Sequence, residues 1–239
     1  MTTAIILAGG LGTRLRESVP DLPKPMAPIN GRPFLEHQLD YWIGQGVKRF
    51  ILSVGYRHTT IVDHFGATYR GIPLDYAIER SLLGTGGGLL LAAEKLSAEA
   101  DFLLLNGDTY FEVELAALRG LHGSRKADWT FSLFRTAEVG RYMGMDIAAD
   151  GRITSLKSGT GKSDRLANGG VYLVNPEALR IGDWRSGGKV SLEDDILPAV
   201  FASDRRLYGL ECSGTFIDIG VPQDYARAPG LLAALRERA

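Results

Sequence analysis

The sequence predicts an α/β fold in which helices flank a Rossmann-like, mixed but mainly parallel sheet. The first observation is that short apolar runs alternate with helical segments over residues 1–110. Strands and helices that alternate in this way form parallel pairs joined by right-handed crossovers. The second observation is that these runs are continuously apolar, which is typical of strands buried on both faces of a sheet. The third is that glycine-rich loops follow the first and third runs.

Four strands and three helices are expected in the first half of the chain. The segment from Pro33 to Gly44 has apolar residues at helical spacing, begins with a proline and ends at glycines, which is typical of a helix. The expected strands lie at residues 4–8, 49–54, 74–78 and 102–106. The other expected helices lie at residues 58–65 and 86–96.

The second half predicts shorter and more antiparallel strands. Asp150-Gly151 separates two of them and indicates a hairpin. The expected strands lie at residues 129–135, 145–149, 152–157, 170–174 and 207–211, and the expected helices at 192–202 and from 221 to the C-terminus. We expect a single domain over residues 1–239, with a nucleotide-binding half at 1–110 and a smaller antiparallel part within 111–239.

Composition excludes several classes of protein. The 239 residues carry 27 Lys and Arg against 28 Asp and Glu, so a broad basic surface for nucleic acid is not expected. One cysteine, Cys212, permits no internal disulfide, which is typical of a reducing cytoplasm. The apolar run at residues 4–8 is too short for a signal peptide, and no run approaches the ~20 residues of a membrane helix. We expect a cytoplasmic protein with no membrane partner. A homo-oligomer is compatible with the sequence.

The loop after the first predicted strand is rich in glycine. Backbone N–H groups of such a loop can approach phosphate oxygens closely, and ligands of open α/β sheets bind at this edge. Arg14, at the end of the loop, can bind phosphate oxygens through two donors. We expect the nucleotide to contact the residues of this segment, which are Leu7, Ala8, Gly9, Gly10, Gly12 and Thr13.

Two other glycine-rich motifs do not match this loop. The phosphate loop of ATPases ends in Gly-Lys-Ser/Thr, whereas Gly12 is followed by Thr13 and Arg14. The dinucleotide fingerprint GxGxxG requires a third glycine where Leu15 stands. A nicotinamide-dependent oxidoreductase is therefore disfavoured.

Lys24 lies between two prolines, which restrict the backbone and therefore the direction of its side chain. A lysine held in this way can neutralise charge at a reacting phosphorus. The alternative is an ordinary solvated lysine in a proline-rich loop. The glycine loop just upstream favours the role at phosphate.

A second glycine cluster, at residues 83–88, follows Glu79 and opens a predicted helix. Glycines there allow flat packing against a base or ribose, with contacts expected from Gly84 and Thr85. The Glu79 carboxylate could accept hydrogen bonds from both N1–H and N2–H of guanine, whereas uracil offers one such donor. The alternative is an exposed glutamate in a loop.

Two aspartates far apart in the sequence suit a magnesium site. Asp108 follows the fourth predicted strand, at the sheet edge where the first glycine loop also lies. Asp218 lies in an apolar run, where an unpartnered carboxylate would be costly. Carboxylates at this edge can hold a Mg²⁺ ion that also binds phosphate oxygens. For Asp218 a helix cap or a buried hydrogen-bond acceptor is the alternative.

Taken together, the motifs GGLGTRL, PKPM, LGTGG, NGD and FIDIGVPQDY resemble, in this order, those of the sugar-phosphate nucleotidylyltransferases. The resemblance covers nearly the whole chain, from Ile5 to about Tyr225. It implies a nucleotide-diphospho-sugar transferase fold and an enzyme that supplies activated sugars for polysaccharide biosynthesis. Mg²⁺ is the implied cofactor, with Asp108 and Asp218 as its ligands and Arg14, Lys24 and Asp108 as catalytic residues.

The resemblance also implies a sugar-phosphate site in the second half. Lys157 falls where the family has a phosphate-binding lysine after a glutamate, but here it stands in Leu-Lys-Ser, and Lys162 is a nearby competitor. The residues implied to bind the sugar phosphate are Gly144, Lys157, Asn168, Gly169 and Glu193.

Within the family, PKPMAPINGRPFLE and FIDIGVPQDY are most similar to the branch that transfers GMP from GTP to a manno-heptose 1-phosphate. Three alternatives stay open from the sequence. The nucleotide could be UTP, CTP or dTTP. The sugar could be mannose or N-acetylmuramic acid 1-phosphate. A catalytically silent, sugar-nucleotide-binding regulatory module is the third, although such a relative would be expected to lose Arg14, Lys24 or a metal-binding aspartate.

Overall fold

The computed structural model describes residues 2–15, 18–96, 101–138, 140–157, 164–182, 184 and 188–236. Its strands are β1 (Thr3–Leu7), β2 (Pro28–Ile29), β3 (Arg32–Pro33), β4 (Arg49–Val54), β5 (Thr68–Tyr69), β6 (Ile72–Ile78), β7 (Phe102–Asn106), β8 (Thr109–Phe111), β9 (Trp129–Thr136), β10 (Asp146–Ile147), β11 (Ile153–Ser155), β12 (Arg165–Val174), β13 (Leu207–Glu211) and β14 (Phe216–Asp218). Its α-helices are α1 (Phe34–Gly44), α2 (His58–Phe65), α3 (Gly84–Ala93), α4 (Leu115–Arg125), α5 (Leu197–Ala202) and α6 (Pro222–Arg236).

Eight strands form one mixed sheet in the order β13-β9-β12-β7-β1-β4-β6-β5. The four central strands β7, β1, β4 and β6 are parallel. Strand β12 runs antiparallel to both its neighbours, β7 and β9, while β13 is parallel to β9. The predicted α/β class with a mainly parallel sheet is confirmed, and β9, β12 and β13 of the second half extend the sheet that the first half begins.

The small antiparallel pairs lie outside this sheet. They are β2 with β3, β8 with β14, and β10 with β11. The pair β10–β11 is shorter than the two predicted strands around Asp150-Gly151, which were expected to span residues 145–149 and 152–157. Along the described ranges, no helix is long and apolar enough to cross a membrane.

Both faces of the sheet are covered. In β1, Ala4 and Ile6 pack into the apolar cluster that includes residues of α1, α2 and α4, whereas Ile5 packs into the cluster of α3 and α5. All three side chains are fully buried. A strand with helices over each face has no solvent-facing positions, which explains why the run is continuously apolar.

Helix α4 was not predicted from the sequence. Only Leu115, Leu118 and His122 are buried along it, and Gly120 and Gly123 interrupt it, so its apolar periodicity is weak. The predicted helix at residues 192–202 begins with a π-helical turn, Leu192–Ile196, which leads directly into α5.

The register brings the ends of the central strands together. Leu7, the last residue of β1, pairs with Ser53 near the end of β4 and with Asn106 at the end of β7. The loops that follow these strands therefore meet at one edge of the sheet, where an open α/β sheet binds its ligand.

Candidate active site

A cleft of about 670 Å³ opens at this edge. Every predicted site residue except Gly144 and Lys157 lines it. The predicted residues that line the cleft are Leu7, Ala8, Gly9, Gly10, Gly12, Thr13, Arg14, Lys24, Glu79, Gly84, Thr85, Asp108, Asn168, Gly169, Glu193 and Asp218. Segments separated by up to about two hundred residues of sequence thus contribute to a single cavity.

The first glycine loop packs against the lysine that follows it. Gly12 has a φ of +62°, and a methyl group added there would lie 2.7 Å from Cγ of Lys24. This position therefore needs glycine both for its left-handed backbone and for the space that the lysine stem occupies. Lys24 is held by this contact and by the short helical turn Lys24–Met26, which Pro23 precedes and which contains Pro25.

Two cations and two carboxylates converge at the far side of the loop. Nζ of Lys24 lies 2.9 Å from Oδ2 of Asp108. A methyl group added at Gly220 would lie 2.6 Å from Oδ1 of Asp218, 3.3 Å from Nζ of Lys24 and 3.5 Å from Nη2 of Arg14. Glycine at this position leaves space for Asp218, Lys24 and Arg14, and Asp108 joins them through its ion pair with Lys24.

The turn that carries Asp108 is fixed from several directions. Its carbonyl accepts a hydrogen bond from Ile219 N–H at 2.9 Å, and Gly107 N–H donates to the carbonyl of Leu7 at 3.0 Å. Gly107 also touches Ala8 so closely that a methyl group there would lie 3.1 Å from Cα of Ala8. The backbone of Asp108 is therefore tied to both β1 and the segment after β14.

Gln38 of α1 also supports this turn, and the sequence analysis missed it. Its side-chain N–H groups donate to the carbonyls of Asn106, at 2.8 Å, and of Thr109. Both neighbours are acceptors only, so the amide must present its nitrogen to them. The signal that the sequence offered was a glutamine within the apolar stripe of the predicted helix, and in the structure this side chain is buried.

The second carboxylate, Asp218, is largely buried. Burial raises its pKa, and the charge of nearby Asp108 raises it further, while a hydrogen bond from Gly220 N–H at 2.6 Å opposes the shift. Two carboxylates that repel each other are stabilised by a cation between them. No group of three or more His, Cys, Asp or Glu side chains that could hold a metal occurs within the ranges that the structure describes.

This pair of hard oxygen donors fits magnesium. Mg²⁺ is commonly bound by one or two protein carboxylates together with phosphate oxygens of a substrate, and it keeps several waters. Two aspartates that line a cleft with room for a substrate's phosphates match that requirement. It does not match the four-ligand nitrogen and sulfur shell of a structural zinc site.

The opposite end of the cleft is built round Glu79, just after β6. Its Oε1 accepts a hydrogen bond from Ser53 Oγ at 3.3 Å, and its Oε2 accepts one from Leu83 N–H at 3.2 Å. Burial raises the pKa of this carboxyl, and the two hydrogen bonds oppose the shift. Leu11 and Leu82 line the cleft with side chains that are 37% and 56% exposed, so they offer apolar surface to a planar base.

A hydroxyl joins the second glycine cluster to the second half of the chain. Oγ1 of Thr85 donates to Oε2 of Glu193 at 2.8 Å and accepts from Leu192 N–H at 2.9 Å. Asn168, on β12, donates to Tyr172 Oη at 2.8 Å and accepts from Gly170 N–H at 3.1 Å. These bonds fix the side chains of Glu193 and Asn168 at the wall of the cleft.

Two predicted residues do not line the cleft. Gly144 forms an isolated antiparallel bridge with Ala167 of β12, beside Met143, which does line it. Lys157 is exposed, and its backbone bonds to Oγ of Ser155. Lys162, the other candidate for that role, lies outside the described residues.

Arg141 lines the cleft and was missed by the sequence analysis. Its guanidinium lies 3.6 Å from Oδ2 of Asp218, and it pairs with Glu138 and Asp224. It stands in a loop without periodicity, and its carboxylate partners near the C-terminus are about eighty residues away. No local pattern marks such a residue.

Known proteins resemble this chain over almost its whole length. A family model described as nucleotidyl transferase matches residues 3–233. The D-glycero-α-D-manno-heptose 1-phosphate guanylyltransferase of Aneurinibacillus thermoaerophilus is 42% identical over 225 residues, which cover 94% of this chain and 96% of that protein. The protein of the same name from Campylobacter jejuni subsp. jejuni is 37% identical over 93% of this chain and 96% of its own.

The fold is also similar to solved structures. HddC from Yersinia pseudotuberculosis, in a crystal structure complexed with GMP-PN, superposes with a TM-score of 0.81 at 33% identity, covering 96% of this chain and 99% of that one. A second crystal structure of the same protein gives a TM-score of 0.82 with the same coverage. The family model spans the glycine loop, both aspartates and the strands that position them, and this chain therefore belongs to the nucleotidyl transferase family of enzymes.

Proposed function

We propose that this enzyme transfers GMP from GTP to D-glycero-α-D-manno-heptose 1-phosphate, forming a GDP-heptose and pyrophosphate. The observation that carries the proposal is the two-ended cleft. Glu79 lies at one end, and Lys24, Asp108 and Asp218 gather at the other. Relatives at 42% and 37% identity, both named as guanylyltransferases of this heptose phosphate, support the choice of substrates.

The reaction is an in-line displacement at the α-phosphorus of GTP. An oxygen of the sugar 1-phosphate forms the new P–O bond, and the bond to the bridging oxygen of pyrophosphate breaks. The attacking phosphate is already ionised near neutral pH, so no general base is needed. Positioning and neutralisation of charge supply the rate enhancement.

Residues of the glycine loop, Arg14 and Lys24 would position the triphosphate and neutralise its charge. Gly9, Gly10 and Gly12 line the cleft where the triphosphate would lie, and Arg14 stands at the end of that loop. Lys24 is the cation placed beside Asp108, within reach of the reacting phosphate. Loss of either cation would leave developing negative charge uncompensated in a partly buried site.

Asp108 and Asp218 are the residues that would hold Mg²⁺. When bound, the ion would neutralise phosphoryl oxygens, which is the chemistry it supplies in phosphoryl transfer. Both aspartates face the cleft from rigid positions, since hydrogen bonds from Ile219 N–H and Gly220 N–H hold them.

The sugar phosphate would occupy the side of the cleft formed by the second half. Glu193 and Asn168 present a carboxylate and an amide there. Gly169 packs tightly against Phe111 and Ser132, and a methyl group at this position would lie 2.5 Å from Cε1 of the ring. Gly144 and Lys157, which do not line the cleft, stay proposed contacts of the sugar phosphate.

The base preference is tested by comparing GTP with ITP, which lacks the 2-amino group. If Glu79 accepts from N1–H and N2–H, losing one charge-assisted bond costs about 1.5–3 kcal/mol, or roughly 10- to 150-fold in kcat/KM. Glu79→Gln should lower kcat/KM for GTP by a similar factor and narrow the preference over ITP. Equal use of GTP and ITP by the wild-type enzyme would remove Glu79 from base recognition.

A further inference from the structure

Arg141 is surrounded by carboxylates. Its Nη1 lies 3.1 Å from Glu138 Oε2, and its Nη2 pairs with Oδ2 of Asp224 and lies 3.6 Å from Oδ2 of Asp218. The guanidinium also stacks over the ring of Tyr142, 4.7 Å from its centroid. The side chain is only 19% exposed, so these interactions are weakly screened.

Asp224 is the most buried of these three carboxylates. Its side chain is 9% exposed and lies in the first turn of α6, where a carboxylate is favoured by the helix dipole. Its other oxygen, Oδ1, accepts from Arg227 at 3.0 Å. Asp224 does not line the cleft, so it cannot touch a substrate there.

We infer that Arg141 is a positioning residue, which with Asp224 fixes the Asp218 carboxylate toward Asp108. This inference rests on the proposed function, because it concerns the residues that would hold Mg²⁺. Three carboxylates lie round Nη1 and Nη2 of Arg141. Glu138 comes from the loop before β10, whereas Asp218 and Asp224 come from the chain that leads from β14 into α6. A planar fork can satisfy several carboxylates at fixed angles, which a lysine cannot do.

The same carboxylates explain why Arg141 is not assigned to a phosphate. Its charge is already offset by Glu138 and Asp224. Burial lowers its pKa, but the interactions with Asp224 and Glu138 outweigh this and hold the pKa above the ordinary arginine value. Arg14, by contrast, is exposed at the end of the glycine loop and lines the cleft where a triphosphate would lie. Partners that orient a metal ligand commonly change metal affinity or activity by 10- to 100-fold when they are removed.

The test uses three variants of the full chain. Asp224→Asn removes the charge that holds Arg141 without altering any residue of the cleft. Arg141→Lys keeps a cation but loses the planar fork. Arg227→Met is the matched control. It removes the other arginine that pairs with Asp224, and the side chain of Arg227 is exposed. Each variant is assayed for kcat and KM in the pyrophosphate-release reaction, and Mg²⁺ affinity is measured by titration calorimetry on the resting enzyme.

We expect Asp224→Asn and Arg141→Lys to weaken Mg²⁺ binding by roughly 10- to 100-fold and to lower kcat similarly, with KM for GTP changed less than threefold. Arg227→Met should match the wild type in both readouts. Wild-type Mg²⁺ affinity and kcat in Asp224→Asn would overturn the inference. So would an Arg141→Lys defect confined to KM, because that result would make Arg141 a substrate ligand.

Failure of the wider proposal gives a different result. A wild-type enzyme without turnover on GTP and the heptose phosphate would refute the proposed function, while calorimetry would still test the link from Asp224 to the metal site. If Asp224→Asn does not fold, as seen by circular dichroism, Arg141→Lys carries the same comparison, since it keeps a cation beside the three carboxylates.

Discussion

Gly12→Ala is the substitution whose effect follows most directly from the geometry of the glycine loop. The added methyl group would lie 2.7 Å from Cγ of Lys24, in a residue whose φ is +62°. Two carbon atoms touch at ~3.5 Å, so the lysine stem must move by roughly 0.8 Å. Pro23 and Pro25 restrict the backbone of Lys24, so the movement falls on its side chain and displaces the ammonium from Asp108.

The expected size of the effect has two parts. The left-handed backbone costs an alanine roughly 1–2 kcal/mol of stability relative to glycine. A displacement approaching 1 Å at a catalytic group can cost on the order of 100-fold in turnover, which corresponds to about 2.7 kcal/mol in the activation free energy. Gly12→Ala should therefore be moderately destabilised and much less active.

The control is Gly71→Ala, in the hairpin between β5 and β6. Gly71 also has a positive φ, +77°, but open space surrounds it. Both variants should lose a similar amount of stability in urea unfolding, whereas only Gly12→Ala should lose turnover in a pyrophosphate-release assay. If the two variants keep the same kcat, the contact between Gly12 and Lys24 does not position the ammonium.

Three further predictions follow from the described contacts. Lys24→Met should lower kcat by at least ~100-fold with unchanged circular dichroism, because it removes the cation beside Asp108; near-normal turnover would exclude Lys24 from the chemistry. Gln38→Leu should lower the free energy of unfolding by roughly 1–3 kcal/mol, since two backbone carbonyls lose their donor, and a urea midpoint equal to wild type would contradict this. Burial lowers the pKa of His37, so the unfolded chain binds the proton more readily, and the free energy of unfolding should fall as the pH drops below about 6.5. His37→Gln should weaken this pH dependence between pH 7 and 5. If the free energy of unfolding of the variant depends on pH as that of the wild type does, other groups cause the dependence.

The sequence predicted the parts of the site that lie directly after buried strands. The glycine loop follows β1, and Asp108 follows β7. Because these strands are parallel, their carboxyl ends lie at the same edge of the sheet. Glu79 follows β6 at the same edge for the same reason. Apolar runs mark such strands clearly, so residues adjacent to them could be placed before the structure was known.

The parts that were missed depend on contacts between distant segments. Arg141 meets Asp224 across 83 positions of sequence, and Gln38 meets Thr109 across 71. The residues next to each of them in the sequence do not indicate which distant residue it will contact. The orientation of β12, antiparallel within a mainly parallel sheet, likewise depends on the path that the chain takes from β9 through β10 and β11 rather than on its own residues.

The most direct test of the account is pyrophosphate release from the wild-type enzyme with Mg²⁺, using GTP, ATP, UTP, CTP and dTTP in turn. Each triphosphate is paired with D-glycero-α-D-manno-heptose 1-phosphate and, separately, with mannose 1-phosphate. We predict that GTP is preferred over every other triphosphate by at least ~100-fold in kcat/KM, since the wrong base leaves the half-buried Glu79 carboxylate without its donors, and that the heptose phosphate is preferred over mannose 1-phosphate. Preference for another triphosphate, or no turnover by folded enzyme, would contradict the account.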